Sequence, residues 1–92
     1  MTDSEILLKA VQKGQESGLM PKNACVYDDV HIEDASVHLH CTTHNNWNTV
    51  DSENDILFDE TFAKAFWGDS FADHLAELGR ADHPLKYIEK FL

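Results

Sequence analysis

Apolar residues recur at helical spacing near the start of the chain. Ile6, Leu7, Ala10 and Val11 form one stripe, with Lys9, Lys13 and Glu16 set elsewhere around the turn. Thr2, followed three residues later by Glu5, fits a capping box, so a first helix is predicted to begin there. Gly14 weakens its last turns by up to about 1 kcal/mol relative to Ala. Gly18 is the predicted stop, and Pro21 prevents continuation.

The period then changes from that of a helix to that of a strand. Over residues 25–33, Val26, Val30 and Ile32 fall on one face, and Tyr27, Asp29 and His31 on the other. Residues 37–42 repeat the alternation, with Val37, Leu39 and Cys41 against His38, His40 and Thr42. The intervening Glu33, Asp34, Ala35 and Ser36 suit a tight turn. Centred on Asp34 and Ala35, it pairs Ile32 with Val37 and Val30 with Leu39. The apolar faces of both strands then coincide, as register requires.

Residues 43–55 are polar and rich in Asn, and predict a loop with Trp47 in its middle. Ile56, Leu57 and Phe58 predict a short third strand. The last third reads as helical. Asp59 is an N-cap for a helix carrying Phe62, Ala65, Phe66 and Trp67, ended by Gly68. Ser70 with Asp73 resembles a second capping box, for a helix with Phe71, Leu75 and Leu78 as its buried stripe and Gly79 as its stop. Asp82 or His83 caps a last helix with Pro84 at its first position. Leu85, Ile88, Phe91 and Leu92 form its apolar face. These elements predict an α+β fold. A small antiparallel β-sheet (a hairpin plus a short third strand) packs against the N-terminal helix and two or three short C-terminal helices. One sheet face is covered, and the other is at least partly wet.

At 92 residues the chain is expected to be a single domain spanning 1–92. Its 42% hydrophobic and 26% charged residues are globular values and argue against disorder. No apolar run approaches the roughly 20 residues that cross a bilayer. The acidic start is unlike a signal or transit peptide, so a cytoplasmic location is expected. Cys25 and Cys41 make no disulfide framework and are expected as thiols.

Charge changes the picture most. Seventeen acids against seven bases leave a formal charge of −10. Binding to a nucleic-acid backbone or an anionic membrane is not expected of such a chain. A basic surface on a protein or ribonucleoprotein complex is the partner that suits it. Acidity also serves solubility alone. Residues 23–63 contain no Lys or Arg, yet hold Asp28, Asp29, Glu33, Asp34, Asp51, Glu53, Asp55, Asp59 and Glu60. Uncompensated like charge destabilises a compact state, which hints that the acids are used.

Residues 56–68, Ile-Leu-Phe-Asp-Glu-Thr-Phe-Ala-Lys-Ala-Phe-Trp-Gly, form a distinctive segment. So does the ending, His-Pro-Leu-Lys-Tyr-Ile-Glu-Lys-Phe-Leu over residues 83–92, with His74 and Leu75 between them. Together they resemble a group of small uncharacterised proteins encoded by bacteriophages and prophages. The resemblance covers residues 55–92 and implies origin more than activity. Small acidic phage proteins often inhibit host enzymes, anti-CRISPR proteins being one such class, and their targets expose grooves lined with Lys and Arg. By that analogy the chain would act in the host bacterial cytoplasm as an inhibitor of a nucleic-acid-binding defence complex.

Candidate chemistry is sparse. In the proposed register Asp29 and His31 lie opposite His40 and His38 on the non-core face, with opposed Cβ atoms about 5 Å apart. Three imidazoles and a carboxylate could hold zinc tetrahedrally, although the spacing lacks a zinc-finger signature and a plain wet face is the simpler reading. Cys41 reads as a small core residue, and Cys25 could approach His44. Asp28 with Asp29, and Glu33 with Asp34, are adjacent and point to opposite faces of a strand, a poor general acid/base pair. No glycine-rich phosphate loop is present, so neither an enzyme nor a cofactor is expected. The C-terminal aromatics read as core. Trp47 reads either as an interface anchor or as a lid on the core. The expected partner-binding residues are therefore Asp28, Asp29, Glu33, Asp34, Asp51, Glu53 and Asp55, with Trp47. The alternatives are a metal module built on Asp29, His31, His38 and His40, and a phage structural or scaffolding protein, or a homodimer formed through an exposed sheet edge.

Overall fold

A computed structural model describes residues 1–17 and 26–92 and has the α+β architecture. Helix α1 (Asp3–Glu16) opens with the predicted capping box. The Thr2 hydroxyl accepts the Glu5 N–H at 3.2 Å, and the Glu5 carboxylate accepts the Thr2 N–H at 3.3 Å. The Thr2 hydroxyl holds the Glu5 carboxyl below its ordinary range. Ile6, Leu7, Ala10 and Val11 are buried as the stripe requires. Gly18, Pro21 and Cys25 lie outside the described residues.

Strands β1 (Asp29–Glu33), β2 (Ser36–Cys41) and β3 (Asn46–Val50) form an antiparallel sheet in the order β1-β2-β3. The first hairpin has the predicted register, with Ile32 opposite Val37 and Val30 opposite Leu39. Asp34 and Ala35 both take positive φ, 48° and 65°, the mark of a type I′ turn that matches strand twist.

The third strand is not where the apolar run predicts it. Ile56 and Leu57 belong to helix α2 (Glu53–Leu57), whose first turn is capped by the Ser52 hydroxyl accepting the Asp55 N–H at 3.3 Å. Leu57 is buried and Phe58 exposed. The strand forms instead within the predicted loop, where Asn45, at φ 48°, closes the turn that returns the chain beside β2. Its alternation is muted because the strand lies at the sheet edge, where only Val50 is even half-buried.

The start of β1 also differs. Val26 is exposed and Tyr27 is buried, the reverse of the alternation. The cause is local. Asp29 is the residue paired with His40, yet the Asp28 N–H also bonds to the His40 carbonyl, at 2.9 Å. Two residues of one strand facing one of its neighbour make a β-bulge, which shifts the inside-outside pattern by one residue. Tyr27 then points to the core, and its carbonyl accepts from Gln12 Nε2 at 3.1 Å.

Helix α3 (Glu60–Trp67) is capped by Asp59, whose carboxylate accepts the N–H groups of Thr61 and Phe62 at 2.6 and 3.2 Å. Gly68, at φ 65°, ends it and leads through one 3₁₀ turn to helix α4 (Phe71–Arg80). The second capping box does not form, because the Ser70 hydroxyl donates back to the Trp67 carbonyl at 3.1 Å. Gly79 does not stop α4. It lacks the left-handed φ that ends a helix, and α4 runs on to Arg80. Helix α5 (Pro84–Glu89) has Pro84 in its first turn, as predicted. Leu85 and Ile88 are buried, Phe91 is half-buried, and Leu92 is exposed, beyond the helix.

One cluster of buried side chains joins these elements. Ile6, Leu7 and Val11 meet Val30, Val37 and Leu39 of the sheet and Phe62, Leu78, Leu85 and Ile88 of the helices. Each large apolar side chain so buried contributes roughly 1.5–3 kcal/mol before entropy is counted. Helix α1 packs on β1, α3 and α5, so the helices cover one face of the sheet. The opposite face is open, with Asp29, His31, Glu33, Trp47 and Thr49 exposed. Among the described residues no helix is long and apolar enough to cross a membrane.

Candidate interaction face

The open face is laid out by register alone. Asp29, His40 and Trp47 form one row across the three strands, and His31, His38 and Thr49 the next. Side chains in a row stand about 5 Å apart, so this spacing brings four rings together. The Trp47 ring lies 4.5 Å from that of His40 and 6.5 Å from that of His38, and His31 lies 6.3 Å from His38. Half of the Trp47 surface is exposed, 50%. The tryptophan is therefore a strand residue on a platform of imidazoles. It neither sits in a loop nor folds back over the core.

Each imidazole is tethered through one nitrogen. His40 Nδ1 donates to Asp28 Oδ1 at 3.3 Å, and His31 Nε2 to Glu33 Oε2 at 3.2 Å. His38 Nδ1 shares a 3.2 Å hydrogen bond with the Thr49 hydroxyl. Asp28 in addition accepts the Thr42 N–H at 3.0 Å. Hydrogen bonding from Thr42, with a smaller contribution from His40, holds the Asp28 carboxyl below the usual carboxylate range.

The seven expected acids divide between the ends of the strands. Asp28 and Asp29 stand at the end next to the turn that precedes β3. Glu33 and Asp34 stand at the hairpin tip. Asp51 follows Val50, which pairs with Val37, so it joins the hairpin-tip group. Glu53 and Asp55 follow in α2. The four residue steps from Asp29 to Glu33 span about 13 Å. The acids thus flank the His–Trp platform and do not merge into one patch.

Among the described residues no group of three or more His, Cys, Asp or Glu side chains is placed to hold a metal ion. Asp29, His31, His38 and His40 share the face, but the Asp29 carboxylate accepts the Val30 N–H at 2.8 Å, and His40 is engaged by Asp28. The carboxylate beside His40 is thus the one on the bulge, Asp28, a choice that strand alternation could not reveal.

A sulfur–imidazole pair joins His44 to Cys41, while Cys25, the residue expected to approach His44, lies outside the described residues. Cys41 Sγ lies 3.5 Å from His44 Nδ1 across the turn after β2. Cys41 is wholly buried, the setting of a structural cysteine, since a nucleophilic thiol must be reached by its substrate. On the helical side Trp67 stacks on His74 at 4.8 Å, and His74 Nδ1 shares a 2.8 Å hydrogen bond with the Tyr87 hydroxyl. Phe62 and Phe66 are buried, while Trp67, Phe71, Tyr87 and Phe91 are half-buried around them, so the aromatic cluster is core and core margin.

No protein-family model matches this chain, and neither a curated protein nor a solved structure matches it.

Proposed function

We propose that the chain is a binding protein whose open sheet face engages a cation-rich surface on a macromolecular partner. The observation that carries this reading is the arrangement of that face. An exposed tryptophan sits among imidazoles, with Asp28 and Asp29 at one end and Glu33, Asp34 and Asp51 at the other. Partly exposed Trp is a residue type enriched at interface hot spots, and acids around it steer and select a basic partner. A nucleic-acid-binding complex has such a surface, and occupying it would block the nucleic acid. This supports an inhibitor of the phage type, acting on a host defence complex in the bacterial cytoplasm.

The test compares the wild-type chain with the triple variant Asp28→Lys, Glu33→Lys, Asp51→Lys as baits in nuclease-treated bacterial lysate. Circular dichroism verifies that both are folded. The expected outcome is a basic nucleic-acid-binding protein retained by the wild type and lost by the variant, with retention falling as salt rises. Equal retention by the two baits would reject the acidic-face reading.

A further inference from the structure

Strand β3 is an outer strand of the sheet, and its five residues, Asn-Trp-Asn-Thr-Val, carry no charge and no proline. Four of the five are exposed. Outer strands are normally protected by Lys, Pro, a bulge or a covering element, because unpaired backbone groups recruit another strand. Which groups are unpaired follows from the first hairpin. Its two-residue turn makes Glu33 and Ser36 a mutually hydrogen-bonded pair, and hence also His31 with His38. Val37, Leu39 and Cys41 must then bond to the other side, with Val50, Asn48 and Asn46. The N–H and C=O groups of Trp47 and Thr49 are left pointing outward. Among the described residues no loop or turn backbone group bonds to either.

We infer that this edge receives an extended, Lys- or Arg-bearing segment of the partner as a fourth strand. The inference rests on the proposed function for the basic character of that segment. Charge decides between occupants. A second copy would bring a second −10 to the first, whereas a basic strand places its cations between the acidic ends of the sheet. The backbone of Trp47 and Thr49 supplies the hydrogen bonds. Every second side chain of the added strand stands on the open face, one of them beside the Trp47 ring.

The probes are two labelled peptides of equal charge, each about eight residues long. One alternates Lys with Val. The other alternates Lys with Pro, which lacks half of the donors and cannot pair as a strand. The Lys-Val peptide is expected to bind at least tenfold more tightly, and to protect the Trp47 and Thr49 amides from hydrogen exchange. Thr49→Pro removes an outward N–H and no bond to β2, so it should abolish the difference between the peptides. Should that variant fail to fold, amide protection in the wild type decides. Equal binding of both peptides, or unprotected amides, overturns the inference. So does a peptide-free dimer in which the same amides are protected. If both peptides bind alike and both are lost on the Asp28→Lys, Glu33→Lys, Asp51→Lys change, strand addition fails while the acidic-face reading stands. If neither peptide distinguishes that variant from the wild type, the acidic-face reading fails as well.

Discussion

Asp28 is joined to His40 twice, by its N–H to the His40 carbonyl at 2.9 Å and by its carboxylate to His40 Nδ1 at 3.3 Å. The first bond makes the bulge that turns Tyr27 into the core. The second holds the imidazole that lies 4.5 Å from Trp47. One residue thus sets both the inner packing at the start of β1 and the outer arrangement of the candidate face.

The two aromatic roles should separate cleanly. Phe62→Ala empties a site that is 2% exposed in the core, and should cost about 3–5 kcal/mol in urea unfolding. Trp47→Ala removes a side chain that is half in solvent, and should change stability by no more than about 0.5 kcal/mol. A large destabilisation by Trp47→Ala would mean that the ring serves the fold, and would weaken its role as an anchor.

The hairpin turn carries removable strain. Ala35 sits at φ 65° without hydrogen-bond compensation from its side chain, a conformation that costs an L-residue roughly 1–2 kcal/mol. Glycine adopts it freely but loses more entropy on folding. Ala35→Gly should therefore raise stability by about 0.5–1 kcal/mol, read as a shift of the urea midpoint. A loss of stability would contradict the type I′ geometry.

Acid should expose the role of Asp28. Its folded carboxyl titrates below the ordinary range because Thr42 and His40 hydrogen-bond the ionised form. Its contribution is therefore complete above the unfolded value of about 3.9, and is lost as pH falls through the lower folded value. Unfolding midpoints of wild type and Asp28→Asn, compared from pH 7 to pH 2, should differ at neutral pH and converge in acid. Parallel curves would show that the charge on Asp28 does not matter.

Tyr87 has the opposite sign. Removal from water, aided by the Glu77 carboxylate, pushes its phenol above the ordinary value. The protonated form is the one stabilised. Its contribution is present below about pH 10, and is lost as pH rises through the raised folded value. Tyr87→Phe also removes the hydrogen bond to His74, and should lower stability by about 0.5–1.5 kcal/mol at neutral pH. The variant should show a flatter alkaline limb than the wild type. An unchanged limb would mean that Tyr87 ionises without strain in the fold.

Local rules make several elements legible in the chain alone. The Thr2–Glu5 box, the Asp59 cap and Pro84 at a helix start satisfy or avoid orphan N–H groups within a few residues of themselves. The alternation of His38 and His40 with Val37, Leu39 and Cys41 sets the hairpin register, because one slip would carry every apolar side chain to the wet face. Gly79 and Ser70 mislead for a common reason. Each has a residue type that ends or begins helices, but Gly79 lies inside α4 without the left-handed φ of a helix stop, and Ser70 finds a nearer acceptor.

Period and charge are properties of neighbours along the chain. They suffice for the α+β class, the first hairpin, the acid-rich and cation-free middle, and the face that carries His31, His38 and His40. Packing in three dimensions makes residues 46–50 a strand and residues 53–57 a helix. It also gives His40 to Asp28 and not to Asp29, and stands Trp47 on the imidazole platform at an open edge. An edge strand buries too little to show an apolar period, and a bulge shifts alternation by one residue through a single backbone hydrogen bond. Neither leaves a mark in composition or spacing, because both are settled by which strand lies alongside.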